Sequence, residues 1–550
     1  MHSTRSSLQH SNTPSLHHSN TPLLLICSLS LLASLPGCTR SRSANTGHSV
    51  LRYPIIQEPG SLDPVRMQDV YSAELLQNIY EGLVTFDEKN TVVPCLASSW
   101  DLSSDGKTYT FHIRPNAQFH APFARSITAE DVKYSLERAL RDSRSPTSVN
   151  YLGDIVGARD LAAGKRNDLP GAKVIDYQTL AISLNSPRGY FLGAIAYPTG
   201  WVVCKEAIEK SGGNIDEKSA IGTGPFMLHE YRRGSKVILA ANPNYWAGRP
   251  KLDRIERPIV LDTQTMQAMY ENNEIDAVNT SLGDYVHDTQ NPALKADCHL
   301  LPQANVIYLV MHQKLQPVFA DRRVRQAFAL AIDREEVARV AYKSTCQPAY
   351  SFVPPGMPGE NPGIRRLSYD PAKARDLLAQ AGFPGGKGFP SITLYLREKD
   401  LEWEGIANLA RDFLIKNLGI TISLKQYESV QFWHDTSNEE KLPFYITGWI
   451  ADYLDPQDFL SLLLKTGSQY NHIGYSNPQF DALCEKADVE TDPKKRIPMY
   501  RLADQIAMDD VAVLPVVFYR QPQLVKPYVK DYKNNLLIFF LPHKTTRIER

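Results

Sequence analysis

Helix and strand signals alternate, with short turns between them, from residue 48 to the end of this 550-residue chain. Residues 370–382, DPAKARDLLAQAG, predict a helix that Asp370 caps and Gly382 ends. Residues 403–419 predict a second helix, and residues 420–425, ITISLK, an alternating strand. This order favours mixed α/β layers, and the length indicates at least two lobes. A cleft between lobes is then the expected place for a ligand.

Two further segments carry strong local signals. Residues 101–114 contain Asp105-Gly106, a typical hairpin turn, followed by alternating apolar residues that predict a strand. Thr128 and Asp131 have the spacing of a capping box, and apolar residues follow at four-residue intervals, which predicts an amphipathic helix.

The charge of the chain is balanced, with 60 lysines and arginines against 60 aspartates and glutamates. No overall field therefore attracts nucleic acid or an anionic membrane surface, and we expect no nucleic-acid partner. The 43% hydrophobic and 22% charged residues are typical of a large globular protein.

The first residues do not belong to the predicted fold. Residues 7–22 repeat a polar, proline-ending octad, and residues 23–35 form an apolar run of signal-peptide length. We interpret residues 1–37 as a disordered leader plus signal peptide. Cys38 follows Pro36-Gly37 and resembles the lipidated cysteine of bacterial lipoproteins, which predicts a lipid anchor to the membrane. The alternative is plain secretion with cleavage nearby.

The other cysteines give no sign of a metal or redox site. They lack CxxC spacing, so buried, scattered thiols are the simplest interpretation. These five residues are Cys95, Cys204, Cys298, Cys346 and Cys484.

Enzyme motifs are also missing from the sequence. It contains no HExxH, GxSxG or Walker-type loop. Residues 104–107, SDGK, match SxxK, but the predicted hairpin turn places them on a loop rather than on the helix that such a pair requires. We therefore expect no catalytic residues and no enzyme activity.

The acidic stretch GWIADYLDPQDF, residues 448–459, first suggests a metal loop or a carboxylate pair. Its aspartates are three residues apart, whereas an EF-hand places ligands at every second position and requires a glycine at its bend. Pro456 occupies the middle instead. We expect no metal and no cofactor, and keep calcium binding or catalysis as a minor alternative.

The same stretch fits a receptor for a cation. Trp449 and Tyr453 flank Asp452 directly after the predicted buried strand FYITGW, and a carboxylate walled by aromatic rings suits an ammonium group. In the alternative interpretation, Asp452 and Asp455 cap turns and Trp449 belongs to the core. The spacing does not separate the two.

Many segments, in order along the chain, resemble the solute-binding proteins of bacterial peptide transporters, the oligopeptide- and dipeptide-binding family. They include GSLDP (60–64), IYEGLVTFD (79–87), residues 93–119, ITAEDVKYSLERAL (127–140), IGTGPFMLHEY (221–231), NPNYW (242–246), residues 321–337, GWIADYLDPQDFL (448–460) and GYSNPQFDALCEKA (474–487).

This resemblance implies an α/β, two-lobed periplasmic-binding-protein-like fold of the large class II type, with a hinge and an additional inserted domain. Carried onto this chain, lobe I comprises residues 48–84, 221–309 and 513–550. The inserted domain comprises 85–220, and lobe II 310–512.

The resemblance also implies a binding site. Asp452 would receive the terminal amine of a peptide, and Trp449 and Trp433 would line its side-chain pockets. The backbone at Val70 and from Gly448 to Ile450 would pair with the extended ligand.

Three positions depart from the family pattern. Relatives carry basic residues for the ligand carboxylate where residues 434–447 offer only Lys441 and His434. Thr147 replaces a tyrosine of the site, and Ile450 replaces a cysteine of a disulfide. Peptide length and the need for a free carboxylate therefore stay open.

We thus expect a monomeric, extracytoplasmic binding protein that captures short peptides and delivers them to the permease subunits of an ABC transporter. The alternatives are another amine-bearing solute, such as a murein peptide, an opine or a nickel complex, and an exported hydrolase.

Overall fold

The computed structural model describes residues 49–67, 69–438, 441–537 and 541–550. The predicted leader, its signal peptide and Cys38 lie outside these residues. The described residues form one compact unit.

The described residues form strands and α-helices in alternation. The strands are β1 Val50–Arg52, β2 Val84–Phe86, β3 Val92–Pro94, β4 Ala97–Leu102, β5 Thr108–Ile113, β6 Ala172–Asp176, β7 Thr179–Ser183, β8 Phe226–Arg232, β9 Lys236–Ala241, β10 Arg254–Pro258, β11 Ala277–Asn279, β12 Cys298–Met311, β13 Gln347–Pro348, β14 Ile392–Arg397, β15 Ile422–Tyr427, β16 Phe444–Ile450, β17 Leu514–Val525, β18 Val529–Lys530 and β19 Arg547–Ile548.

The helices fill the intervals between the strands. They are α1 Val70–Leu76, α2 Ala129–Arg141, α3 Ser148–Leu152, α4 Ala158–Ala162, α5 Phe191–Ala196, α6 Lys205–Lys210, α7 Thr263–Glu271, α8 Leu282–Asp288, α9 Arg322–Ala331, α10 Arg334–Val340, α11 Pro371–Gln380, α12 Leu401–Leu418, α13 Ser429–Trp433, α14 Ser461–Leu464, α15 Pro478–Val489 and α16 Pro493–Asp510.

The local predictions are confirmed. β4 and β5 form the expected antiparallel hairpin, with Gly106 in the left-handed region at its turn. Thr128 and Asp131 make both hydrogen bonds of a capping box at the start of α2. Asp370 caps α11, and Gly419 ends α12 with a positive φ.

Three larger sheets carry the fold. Strands β1, β10, β9 and β8 form one four-stranded sheet, and β4, β5, β7 and β6 form another that lies entirely within the predicted inserted domain. The third sheet has the order β11-β17-β12-β16-β14-β15, with β13 added on β17. The domain boundaries themselves stay predictions.

Two long antiparallel strands, β12 and β17, run through the third sheet. Their pairing extends from Cys298–Leu524, beside β11, to Leu309–Leu514, beside the β16 end of the sheet. The register shifts between Pro302 and Val306, which interrupts the ladder in the middle of both strands. This pair therefore connects the segment that carries β11 with the segment that carries β14, β15 and β16.

Candidate functional site

The site begins at β16. β12 pairs with β16 over the whole of Phe444–Ile450, whereas β14 meets β16 only at Tyr395–Tyr445. One edge of Gly448–Ile450 is therefore not covered by a neighbouring strand, and such an edge can accept an extended chain.

A cavity of about 290 Å³ borders this open edge. Val70, at the first position of α1, and Ile450 both line it, together with Tyr71 and Tyr519. The structure thus brings together two of the backbone positions expected to contact a ligand, although they are separated by 380 positions in the sequence.

Asp452 lies two residues beyond the strand, where it lines a second cavity of about 210 Å³. The hydroxyl of Tyr151, on α3, donates a hydrogen bond to its Oδ2, and Tyr197 donates a second. Burial raises the pKa of Asp452 to about 6, and the two tyrosine hydrogen bonds oppose this shift. No lysine, arginine or histidine of the described residues forms an ion pair with this carboxylate.

Asp458 lies next to Asp452 and is fully buried. Its Oδ2 accepts hydrogen bonds from the indole Nε1 of Trp449 at 3.0 Å and from the backbone N of Asp452 at 3.1 Å. Burial, and then the charge of Asp452, raise the pKa of Asp458 well above its usual range. These two carboxyl groups, with the side chains that hydrogen-bond to them, therefore form one pocket.

Asp455, the third acid of the stretch, has a structural role. It caps the short 3-10 turn Pro456–Asp458 and forms a buried, two-pronged ion pair with Arg496, with N–O distances of 2.5 and 2.7 Å. Because Arg496 neutralises Asp455, the three aspartates do not form a common site for a cation. In the described part of the chain, no group of three or more candidate metal ligands is present.

The two predicted tryptophans lie in different surroundings. Trp449 is partly buried, with its ring 6.1 Å from that of Tyr470. Trp433, at the end of α13, is 41% exposed and meets Trp403 edge-on at 6.5 Å. The Trp403 ring lies 3.6 Å from the position a Cβ would take at Gly448, so this ring covers the strand at that residue.

Tyr453 points away from this edge. It is 1% exposed, its ring packs against Tyr151 at 5.5 Å, and its hydroxyl donates to Gln457. It supports the residue that holds Asp452, and a direct ligand contact for it stays a prediction.

Three residues of the pocket were not expected from the sequence: Tyr151, Tyr197 and Asp458. The only signal for the first is Thr147, which stands where relatives have a tyrosine. Tyr151 follows four residues later, one helical turn along α3, and supplies a hydroxyl to the pocket.

Arg397, which lies outside residues 434–447, places a positive charge beside Trp403 and Trp433. The guanidinium carbon of Arg397, at the end of β14, lies 4.9 Å from the ring centre of Trp403 and 5.9 Å from that of Trp433. It also pairs with Asp400 at 2.6 Å. Arg397 lies outside the segment between the two tryptophans, where the family pattern places the basic partner of a ligand carboxylate, so the sequence did not indicate it.

The buried, scattered thiols expected from the sequence are confirmed. The five cysteines are unpaired thiols; four are buried and Cys298 is partly so. None of the described helices has the length and apolar character needed to cross a bilayer.

Comparison with known proteins places the chain in a family. Residues 91–471 match the model described as bacterial extracellular solute-binding proteins, family 5 Middle. The chain is 30% identical to the periplasmic oligopeptide-binding protein OppA of Escherichia coli, over 86% of this chain and 88% of that protein. It is 29% identical to the dipeptide-binding protein DppE of Bacillus subtilis, over 92% and 94% of the two chains.

Solved structures support the same family assignment. The Escherichia coli murein tripeptide binding protein MppA superposes with a TM-score of 0.78 and 26% identity, over 92% of this chain and 99% of that one. The predicted two-lobed, periplasmic-binding-protein-like α/β fold is confirmed. The chain belongs to family 5 of the bacterial extracellular solute-binding proteins.

Proposed function

We propose that this protein is the extracytoplasmic solute-binding component of an ABC transporter, which captures short peptides in its inter-lobe cleft and delivers them to the permease. One observation carries the choice of ligand. The Asp452 carboxylate has no basic partner among the described side chains and lies just beyond the open strand edge at Gly448–Ile450.

Each part of this arrangement fits one part of a peptide. A strand edge pairs with any extended backbone and so gives affinity without reading sequence. A partly buried carboxylate accepts charge-assisted hydrogen bonds from an ammonium group, which replaces the water that burial has removed. A blocked amine cannot do this, so it should be strongly disfavoured.

The names of the relatives support the same ligand class. OppA and DppE are named for oligopeptides and dipeptides, and MppA for a murein tripeptide. A murein peptide is therefore the second candidate, since the MppA fold covers nearly the whole chain. Such a ligand also offers an amine to Asp452.

The proposal extends to the arrangement in the cell. Lobes I and II would move about the β12–β17 pair, where the register shift near Pro302 relaxes the ladder. Lipidation of Cys38 would hold the protein, as a monomer, at the membrane beside its permease. Mass spectrometry of the membrane-extracted protein should detect a diacylglycerol on Cys38. An unmodified Cys38 would contradict the lipid anchor.

Calorimetric titration tests the peptide proposal. Protein comprising residues 39–550, freed of co-purified solutes by unfolding and refolding, is titrated with trialanine and with N-acetyl-trialanine. We expect a Kd near or below ~1 μM for the free amine only, and Asp452→Asn should abolish binding. Asp160→Asn, at an exposed position, is the matched control.

Two outcomes contradict the proposal. Equal affinity for both peptides would show that the amine is not recognised. Steady hydrolysis of trialanine by the purified protein would point to the exported hydrolase instead.

A further inference from the structure

Asp458 has an unusual environment for an acidic side chain. Oδ2 accepts both available N–H groups, from Trp449 and from the Asp452 backbone. Oδ1 is buried and has no hydrogen-bond partner. A buried ionised carboxylate normally has all its lone pairs matched, and Oδ1 has no donor here, so the neutral acid, which has no charge to compensate, fits this geometry better than the anion.

Among the residues that the structure describes, no lysine, arginine or histidine forms an ion pair with Asp458. Asp455 is the next acid and is neutralised by Arg496. Four phenols also face the pocket. The titratable groups acting on Asp458 are Asp452, Asp455, Tyr151, Tyr197, Tyr453 and Tyr470.

Two carboxyl groups in one desolvated pocket do not both ionise without a cation. Asp452 is the one that two tyrosine hydroxyls stabilise in the charged form. Asp458 also accepts two N–H hydrogen bonds, but both reach Oδ2, its Oδ1 has no partner, and the side chain is fully buried. The ligand-free pocket therefore holds one negative charge, on Asp452, and one proton, on Asp458.

We propose that Asp458 is the second carboxyl group of the amine receptor, and that it releases its proton to solvent when the ligand ammonium binds. This inference rests on the proposed function. The balance is simple: one ammonium enters, one O–H bond of Asp458 breaks, and one proton leaves. The net charge of the pocket is −1 before and after binding, so the buried region never carries two uncompensated charges.

The inference assigns separate roles to the two acids. Asp452 accepts the ammonium, and Asp458 is a positioning residue that holds the Trp449 indole and the Asp452 backbone while it stores the proton. Proton release makes capture depend on pH: above about pH 6.5, where Asp452 is already mostly ionised, affinity should rise with pH by up to about tenfold per unit for the one proton of Asp458.

Calorimetry in two buffers tests this with the wild-type protein. Trialanine is titrated at pH 7.0 in phosphate and in Tris, whose ionisation enthalpies differ. The difference in apparent binding enthalpy gives the number of protons released. We expect about one per peptide. At this pH the amine of the peptide is mostly charged and Asp452 mostly ionised, so neither contributes much.

Asp458→Asn is the matched variant, because its amide oxygen can still accept from Trp449 and from the Asp452 backbone. It should retain trialanine binding and release close to no proton. Wild-type release near zero, or undiminished release from Asp458→Asn, would overturn the inference. The wild-type measurement decides even if the variant fails to fold.

The failure of this inference is distinct from failure of the proposed function. If wild type releases no proton but still rejects N-acetyl-trialanine, the amine receptor stands and the role of Asp458 is wrong. If both peptides bind equally, the receptor itself is wrong, and the inference falls with it.

Discussion

Tyr151 donates its hydroxyl hydrogen to Asp452 across 301 positions of sequence. The tyrosine belongs to the predicted inserted domain, and the aspartate to the predicted second lobe. Asn150 makes a parallel contact, 2.6 Å from the hydroxyl of Tyr470. The proposed amine receptor is thus completed by residues from two distant parts of the chain, so ligand capture and the approach of these parts are physically linked.

Tyr151→Phe should weaken trialanine binding. The hydroxyl stabilises the ionised form of Asp452, so its loss leaves the carboxylate with Tyr197 as its phenolic donor and makes it a poorer acceptor. We expect a loss of about 1 kcal/mol, or roughly fivefold in Kd by calorimetry. Tyr190→Phe is the control, because the Tyr190 hydroxyl contacts Asp154 instead, at 2.8 Å. Equal affinities for the two variants would contradict this role.

Asp455→Asn and Asp452→Asn should have opposite effects. Asp455→Asn leaves Arg496 buried without its anion. We expect the free energy of unfolding to fall by about 3–5 kcal/mol. Discrimination between trialanine and its N-acetyl form should survive. Asp452→Asn removes a desolvated charge, so stability should hold while binding is lost. Urea denaturation and calorimetry measure both; a folded Asp455→Asn protein that binds nothing would argue against this division.

Trp449→Phe should destabilise the protein through Asp458. The substitution removes the indole N–H, and the buried Asp458 carboxyl keeps one donor, the Asp452 backbone. We expect the free energy of unfolding to fall by about 1–2 kcal/mol beyond the loss of ring area. Trp100→Phe, in the partly buried β4 strand, gives the reference for ring area alone. Identical losses for the two variants would mean that the indole bond contributes nothing.

Local features of the fold could be predicted from the sequence because few residues determine them. The Asp105-Gly106 turn, the Thr128 capping box and the buried strand before Asp452 all follow from neighbours within about six positions. The family resemblance adds Asp452 and the backbone at Gly448–Ile450 as expected ligand contacts, and these roles stay predictions.

The rest of the site depends on tertiary contacts that no local pattern encodes. Tyr151 reaches Asp452 only after the chain between them has folded, and Arg496 finds Asp455 from a helix 41 residues away. Proximity in sequence did not predict where the Tyr453 ring lies. Tyr453 adjoins Asp452 in sequence, but the turn after β16 directs its ring into the core.

Asp504 predicts a measurable pH dependence of stability. It is fully buried on α16, where its carboxylate accepts from the Phe352 backbone N at 3.0 Å and the Ser351 hydroxyl at 2.7 Å. Burial raises its pKa to about 6, above the value of about 4 expected in the unfolded chain. Between these values the folded protein binds the proton and the unfolded chain does not. The stability contribution is therefore complete below about pH 4 and is lost as the pH rises through 6.

Asp504→Asn should remove this loss, because the amide oxygen keeps an acceptor and carries no charge. Relative to wild type, the free energy of unfolding of the variant should rise between pH 4 and pH 7, by up to roughly 3 kcal/mol for a shift of about two pKa units. Urea denaturation at pH 4, 5, 6 and 7 measures the difference in free energy of unfolding between variant and wild type. For the control Asp160→Asn this difference should be small at every pH. A constant difference between Asp504→Asn and wild type would mean that Asp504 titrates alike in the folded and unfolded states, and that the Ser351 and Phe352 hydrogen bonds fully offset its burial.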